Sequence, residues 1–576
     1  MRLVQVIVSN YRNIDGVSVY LNQECNYLIG ENNLGKSNFL SLLYTICNGW
    51  PFEEKDFLDP TKPIKIEFTL KLAPKEHTFF GNRISHDSLL KLRYYQSIDE
   101  AYPTIINTAT NKRIAARYVR KIHFLKYEAI ADPGKELRFD TKKGMGLLMT
   151  EIVQRFIESS EGERTFLQND QVAQLLSFIN IYLDKIQIFH DYSIKATIPA
   201  NTIDMLIRIL YLSDGHRKIA ATGSGVQFMA MASVHILCQI MELYKNKAMP
   251  FEEQFYTDEN GRKILPLILA IDEPEVHLHP YLQRSLISYY KRILHNDDEN
   301  FSELLKMCFD IDGIDGQLII VTHSTDALVG DYRNIVRFYR NKEKTAVISG
   351  GDPTLHVEEK KEKHLIMHFP EIKEAFYANC VLLVEGETEY GCIRAFAESI
   401  SISLDDYGIC VINARGGSTI KPLRELLHVF SIPSVAIYDG DVKKSGYTAK
   451  SNEFFTQELC FEIEILKELY RAGRIDLIKQ IALERDPRAD STLLDAHFMQ
   501  KHFEKMQIDI KAYVPKKLAD IDESNEDEFI KMYAAWYMSK KGVILGRIIG
   551  NTLPANIIPK CYSDAIKKAK KIASRE

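Results

Sequence analysis

Gly30-Glu31-Asn32-Asn33-Leu34-Gly35-Lys36-Ser37 matches G-x-x-x-x-G-K-[ST] at every fixed position. The apolar residues Tyr27, Leu28 and Ile29 precede it. Phe39, Leu42, Leu43 and Ile46 follow at the i, i+3, i+4, i+7 spacing of one helix face. This is the strand–loop–helix setting the motif requires. Its glycines let backbone N–H groups wrap phosphate oxygens, with Lys36 placed to reach the β- and γ-phosphates and Ser37 to hold Mg²⁺. Gly30, Asn33, Gly35, Lys36 and Ser37 are therefore read as residues that bind a nucleoside triphosphate. A chance Gly-rich turn would not carry Lys-Ser and both flanks.

The chain has 576 residues, enough for roughly three to four domain-sized units. It is 45% apolar and 26% charged, ordinary for a soluble globular protein. A net charge of −5 argues neither for nor against nucleic acid, because local patches outweigh the sum. Nine cysteines without C-x-x-C or a Cys/His cluster argue against a zinc module and a disulfide framework, and for a reducing cytoplasm. The opening M-R-L-V-Q-V-I-V-S-N reads as a first strand rather than a signal peptide. No apolar run is long enough to span a membrane.

Strands are expected over 2–9, 25–29 and 122–127, and over 64–70, where apolar and polar residues alternate. From about 145 to 212 the period becomes helical. Val172, Leu175, Leu176, Ile179 and Leu183 form one stripe, and Asn201 is placed to cap a helix carrying Ile203, Leu206, Ile207 and Leu210. This reads as a helical insertion that packs on itself or on a second copy. Ala221–Phe228 (A-T-G-S-G-V-Q-F) then leads into an apolar helix. Leu267–Ile271 is a buried parallel strand ending in Asp272 and Glu273. In open α/β sheets that edge binds ligands. Asp272 would complete the Mg²⁺ site through water, and Glu273 is placed to polarise an attacking water. Gln317–Ser324 is another buried strand, ending at His323.

The order P-loop, Ser-Gly-x-Gln, Asp-Glu, His resembles the ATPase heads of the ATP-binding-cassette (ABC) and SMC/RecF class. That resemblance implies that Ser224, Gly225 and Gln227 form the signature loop, closing over nucleotide held by another copy. It makes Glu275 to His279 the loop after Walker B and His323 the switch histidine. Asn10-Tyr11-Arg12-Asn13 looks like the N-[FY]-R-N element, with Arg12 near the nucleotide. The glutamine-loop residue is left unplaced.

After a Lys/Glu-rich linker at about 352–364, a new α/β pattern begins. Strands are expected at Cys380–Val384, Ile409–Ile412 and Ser434–Tyr438, with helices between, as in a parallel βαβαβ unit. Glu385 follows the first strand, Glu389 lies one helical turn beyond, and Asp439 and Asp441 follow the third. Parallel strands bring such carboxylates to one edge. Hard oxygen ligands in an open site suit Mg²⁺ or Mn²⁺ rather than zinc. Two ions would clamp the attacking and leaving oxygens of a phosphodiester. The turn Asn413-Ala-Arg-Gly-Gly-Ser offers a second phosphate-binding loop in which Arg415 could contact a backbone phosphate.

V-E-G-x-x-E followed by D-x-D resembles the Toprim domain of topoisomerases, primases and certain nucleases. An ABC-like ATPase joined to Toprim resembles the OLD (overcoming lysogenization defect) family, which includes Gabija nuclease subunits and retron-associated members. The implied fold is α/β: an ABC-type P-loop ATPase head over 1–370 with the insertion as a possible dimerisation element, a Toprim core over 371–470, and a helical C-terminal part over 471–576. The resemblance implies a further metal-binding acid, Glu462 with Glu464 in reserve, and a lysine that stabilises the phosphorane, Lys541 with Lys540 as competitor. Lys567–Lys571 reads as a solvated helix end.

The implied function is an ATPase-gated, divalent-metal-dependent DNA endonuclease of antiviral defence. Glu385, Asp439, Asp441, Lys541 and Glu273 are its catalytic residues, and Glu385, Glu389, Asp439, Asp441 and Glu462 its metal ligands. Cofactors would be ATP with one Mg²⁺ and two Mg²⁺ or Mn²⁺ ions in the Toprim site. Partners would be DNA and further copies of the chain, accompanied by a retron reverse transcriptase with its RNA–DNA product, by a helicase or by no further partner, with no membrane. The alternative is an SMC/RecF-like DNA-binding scaffold or sensor with a regulatory Toprim domain. Against it, no long heptad repeat is present and the Toprim carboxylates are intact. A topoisomerase or primase would need a further module that no stretch of the sequence supplies.

Overall fold

A computed structural model describes residues 1–80, 88–128, 144–159, 169–186, 194–197, 211–213, 224–246, 249–276, 278–355, 369, 372–444, 447–500 and 513–574. The chain forms two compact units, Met1–Leu355 and His356–Glu576.

The first unit holds two sheets. One contains β1 (Arg2–Ser9), β2 (Val17–Tyr20), β4 (Ile64–Lys71), β5 (Leu89–Gln96), β6 (Thr104–Asn107) and β7 (Lys112–Arg113), antiparallel in the order β2-β1-β4-β5-β6-β7. The other is built around β3 (Cys25–Gly30), β8 (His123–Glu128), β12 (Lys263–Asp272), β13 (Gly313–Val321) and β14 (Ile335–Asn341). These five run parallel, in the order β8-β12-β13-β3-β14, with β11 (Tyr256–Thr257) and β15 (Lys344–Ser349) antiparallel at the margins. Helix α1 (Lys36–Asn48) follows β3. The two sheet types explain the two sequence patterns. β3 lies between two strands and is buried throughout, so it reads as a continuous apolar run, whereas β4 alternates because one face packs inward. Phe39, Leu42, Leu43 and Ile46 of α1 are fully buried in the same core.

The insertion contains α2 (Gly144–Ser159) and α3 (Asn169–Leu183), with Leu175, Ile179 and Leu183 buried on α3. It is not wholly helical. β9 (Lys195–Thr197) and β10 (Tyr211–Ser213) form an antiparallel pair. Asn180 of α3 holds that pair, its amide accepting from Ala196 N at 2.7 Å and donating to Ala196 O at 3.2 Å. Three-residue strands carry too few positions for their period to show in the sequence. The expected helix from Asn201 to Leu210 lies outside the described residues. Then come α4 (Ser224–Tyr244), and, after β12, α5 (Pro280–His295) and α6 (Glu299–Phe309).

The second unit is a four-stranded parallel sheet in the order β17-β16-β18-β19. Its strands are β16 (Cys380–Val384), β17 (Ile409–Asn413), β18 (Ser434–Tyr438) and β19 (Glu453–Phe455). β19 is absent from the expected pattern, again because it has only three residues. Helices α7 (Glu387–Ser399) and α8 (Gly417–Val429) connect the first three strands. Beyond the sheet come α9 (Phe461–Arg471), α10 (Ile475–Arg485), α11 (Glu526–Ser539), α12 (Val543–Thr552) and α13 (Lys560–Ala573). α13 packs across the sheet, and α7 packs on α12 with their backbones in near contact. A Cβ on Gly546 would lie 1.9 Å from Thr388 O, and one on Gly391 would lie 2.4 Å from Val543 O. Trp536, Tyr533 and Tyr537 of α11 fill the core of this unit. Among the described residues no helix is long and apolar enough to cross a membrane.

Candidate nucleotide site and carboxylate centre

β12, β13 and β3 are parallel neighbours in register, with Asp272 beside Val321 and Val321 beside Leu28. Their C-terminal ends therefore meet at one edge. Gly30 has φ 131°, and a Cβ there would lie 2.0 Å from Phe338 O, so only glycine fits at this turn. The loop is braced by the Asn10–Asn13 element. Asn13 Nδ2 donates to Asn33 O at 2.8 Å. Arg12 pairs with Asp56 at 2.8 Å and donates from Nη1 to Asn38 Oδ1 at 2.8 Å, beside Ser37. Lys36 is buried and its Nζ donates to Gly30 O and Glu31 O at 2.8 and 2.7 Å, closing the loop on itself. Burial draws its pKa down to about 8, against the pull of the Glu273 and Asp272 carboxylates.

Ser37 Oγ donates to Asp272 Oδ1 at 3.2 Å, which brings the P-loop and the end of β12 together. Glu273 takes a left-handed φ of 53° and donates its N–H to Val321 O at 2.9 Å. Its Oε1 lies 3.6 Å from His323 Nε2. Burial lowers the His323 pKa, as does the Lys36 ammonium, while Glu273 opposes them. Gln227 lies half-buried on α4. Ser224 and Gly225 begin that helix, and the Ser224 side chain lies outside what the structure describes. Glu275, in sequence no more than part of the loop after β12, has a structural role here. It accepts from Thr322 Oγ1 at 2.8 Å and from His323 N at 2.5 Å.

In the second unit the chain leaves β16 for β17 on one side and returns to β18 on the other. The ends of β16 and β18 thus flank the topological switch point, where open parallel sheets bind ligands. Glu385 and Asp439 stand there, and Asp439 N donates to Glu385 Oε2 at 3.0 Å. The Gly416-Gly417 turn lies against the same residue, with Gly416 N donating to Glu385 O at 2.8 Å. Asp439 Oδ1 accepts Phe461 N at 3.0 Å, which docks the first turn of α9. Glu462 is thereby fully buried, and neither of its carboxylate oxygens has a partner in hydrogen-bond geometry. Lys541 Nζ lies 2.9 Å from Glu462 Oε2 as an ion pair.

The electrostatics follow from that crowding. Burial, then Glu389, Glu385 and Glu462, push the Asp439 carboxyl up to about 8, with Lys541 opposing. Burial and Glu462 push Glu389, which is buried in the first turn of α7, up to about 7. Burial draws the Lys541 ammonium down, but Glu462 outweighs it and the net shift is upward. The lysine is set in place by its neighbour: Gly542 N donates to Thr388 Oγ1 at 3.2 Å. Thr388 was not among the expected residues. It is buried and sits inside V-E-G-E-T-E, the motif that named Glu385 and Glu389.

The two open pairs separate in space. Lys540 pairs with Asp486 at 2.8 Å, and Glu464 accepts Glu458 N at 2.8 Å. Lys541 and Glu462 face the carboxylates instead. Asp441 is exposed in the short helix Gly440–Lys444. Among the described residues no group of three or more His, Cys, Asp or Glu side chains is arranged to hold a metal ion. The donor set nonetheless suits a hard cation. It consists of carboxylates, two with raised pKa values, and one fully buried carboxylate, Glu462, that already faces the Lys541 ammonium.

Residues 1–122 and 140–327 match the AAA ATPase domain, and residues 376–441 match the Toprim domain of overcoming-lysogenization-defect-like proteins. The Old nuclease of Escherichia phage P2 is 22% identical over 523 residues, covering 83% of each chain. The C-terminal region of the Xanthomonas campestris pv. campestris OLD protein is 19% identical, covering 35% of this chain and 97% of that one, with a TM-score of 0.24. An SMC head bound to the C-terminal winged-helix domain of ScpA is 12% identical, covering 60% of this chain and 98% of that one, with a TM-score of 0.36. The two matched domains are enzyme domains of nucleotide-hydrolysing and nuclease families. With more than half of its length matched by the AAA ATPase domain, the chain belongs to that ATPase family, and a Toprim domain like that of overcoming-lysogenization-defect proteins follows in the same chain.

Proposed function

We propose that the protein is a divalent-metal-dependent DNA endonuclease whose Toprim carboxylates act under the control of ATP bound at the P-loop. The observation that carries this reading is the meeting of Glu385, Asp439, Glu389 and Glu462 around the switch point of the second sheet, with Lys541 against them. Glu385, Glu389, Asp439, Asp441 and Glu462 would hold Mg²⁺ or Mn²⁺, after side-chain rotation gathers them. Bound there, the ions would supply charge neutralisation and an activated water for phosphodiester hydrolysis. Lys541 would stabilise negative charge developing on the phosphate. Arg415 and the Gly416-Gly417 turn beside Glu385 would orient the DNA backbone.

In the first unit, Arg12, Gly30, Asn33, Gly35, Lys36, Ser37 and Asp272 would bind ATP–Mg²⁺. Glu273 would act as base and His323 as the γ-phosphate sensor. Ser224, Gly225 and Gln227 of a second copy would complete the site. Defence against phage is the setting that the resemblance to OLD-family proteins suggests.

The test incubates the full chain with supercoiled plasmid and Mg²⁺ or Mn²⁺, with and without ATP, beside Glu385→Ala and Lys36→Ala. Nicked or linear DNA that disappears in Glu385→Ala is expected. Lys36→Ala is expected to change the ATP response or the assembly state. Uncut plasmid under every nucleotide condition would count against the nuclease reading, and an unchanged Lys36→Ala against the coupling.

A further inference from the structure

Beyond β12 and β13 the chain is tied to itself through side chains. The ladder between these strands ends when Glu273 turns away after giving its N–H to Val321 O. The next donors on the β13 side are the Thr322 hydroxyl and the His323 N–H. The Glu275 carboxylate takes both, Oε2 accepting from Thr322 at 2.8 Å and Oε1 from His323 N at 2.5 Å. It thus replaces the missing rung. Thr322 is fully buried, so that bond is sheltered from water. Two residues of α5 extend the connection. Ser324 Oγ donates to Gln283 Oε1 at 2.6 Å, and Arg284 pairs with Asp326 at 2.9 Å. Gln283 also donates to Leu278 O at 2.9 Å, which pins the loop after β12 to the same helix.

We propose that Glu275 is a positioning residue for nucleotide hydrolysis: it fixes the His323 backbone so that the imidazole stands beside Glu273. Through Gln283 and Arg284, the loop after β12 then moves together with the His323 segment. The inference rests on the ATPase reading above. Glu275 acts through His323 and takes no proton from water or phosphate.

Steady-state ATP hydrolysis by the full chain tests this, with wild type, Glu275→Ala, Glu275→Gln, Thr322→Val and Lys36→Ala compared. Glutamine keeps an acceptor for His323 N–H, and its amide can donate to the Thr322 oxygen. Glu275→Ala is expected to lower kcat about tenfold, a loss of about 1.4 kcal/mol. KM for ATP should stay within about twofold, because a positioning contact acts on the transition state more than on ground-state binding. Glu275→Gln should recover most of the rate, and Thr322→Val should fall between. A Glu275→Ala enzyme at the wild-type kcat overturns the inference. So does a Glu275→Gln enzyme as slow as Glu275→Ala, which would assign the effect to charge. A joint loss of kcat, ATP affinity and melting temperature would assign it to folding and overturns the inference as well. Should Glu275→Ala fail to fold, an unchanged kcat in Thr322→Val does the same. If wild type has no turnover, or Lys36→Ala keeps it, the ATPase reading falls and the inference with it. Normal dependence on Lys36 with an indifferent Glu275→Ala removes the inference alone.

Discussion

The backbone N–H of Asp439 donates to Glu385 Oε2 at 3.0 Å, joining the C-terminal ends of two parallel strands that flank the switch point of the second sheet. One carboxylate therefore orients the peptide that carries the next, before any cation is added. Removing the first should disturb charge more than fold. Glu385→Ala and Asp439→Asn are each expected to reduce plasmid cleavage at least about 100-fold, as loss of a group acting on the transition state does. Circular dichroism of both variants should match wild type, and Asp439→Asn, which removes a buried carboxyl pushed up to about 8, should melt no lower than wild type at neutral pH.

Glu389 and Asp439 are pushed to about 7 and about 8 by burial and by each other's neighbours. Unfolded, they would titrate near 4. The folded chain therefore binds more protons between these limits, and its stability falls as pH rises from the ordinary carboxylate range through about 8. Divalent cations should reverse that loss. The rise in melting temperature on adding Mg²⁺ or Mn²⁺ is expected to be larger at pH 8 than at pH 6, with each kcal/mol gained worth about 2–4 °C in a unit of this size. Equal shifts at both pH values, measured by calorimetry, would contradict the assignment. Chelator should restore the metal-free curve.

Lys541 pairs with buried Glu462, whereas its neighbour Lys540 pairs with Asp486. Lys541→Ala is expected to lower cleavage about 100-fold, the order of loss for one charge-stabilising donor. Lys540→Ala should stay within about twofold in the same plasmid assay, since its partner is Asp486 and not a carboxylate of the centre. The opposite ranking would transfer the role to Lys540.

The close approach of α7 and α12 accompanies the bond that ties Gly542, next to Lys541, to Thr388. A Cβ on Gly546 would meet Thr388 O at 1.9 Å, and backbone there cannot yield as a flexible side chain would. Gly546→Ala is expected to destabilise the second unit by about 1–3 kcal/mol through overpacking. It should also slow cleavage by shifting Gly542 from Thr388. Urea unfolding followed by tryptophan fluorescence reads the first effect, because Trp536 lies in this core. Wild-type stability with wild-type cleavage would show that the contact is not limiting.

The chemistry-bearing motifs were legible because each is local. A P-loop needs its glycines, lysine and serine within one turn. Glu385 with Glu389, and Asp439 with Asp441, lie at single strand ends. The runs at Leu267–Ile271 and Cys380–Val384 are buried on both faces, so their apolar character alone marks parallel strands. β9, β10 and β19 escaped because three residues hold no readable period, and what pairs them is the neighbouring strand rather than their own composition. Composition also could not choose within Lys540-Lys541 or between Glu462 and Glu464. Adjacent residues, or residues two apart on one helix, share the same local environment in sequence. Their difference lies in which way the helix is turned once it docks. The bond from Phe461 N to Asp439 and the bond from Gly542 N to Thr388 decide that turn. Sequence by itself therefore determined which chemistries the chain carries and on which strand ends. The tertiary structure decided which distant side chains meet, because only packing of α9 on the end of β18 and of α12 on α7 brings Lys541 to the buried Glu462 and Asp439.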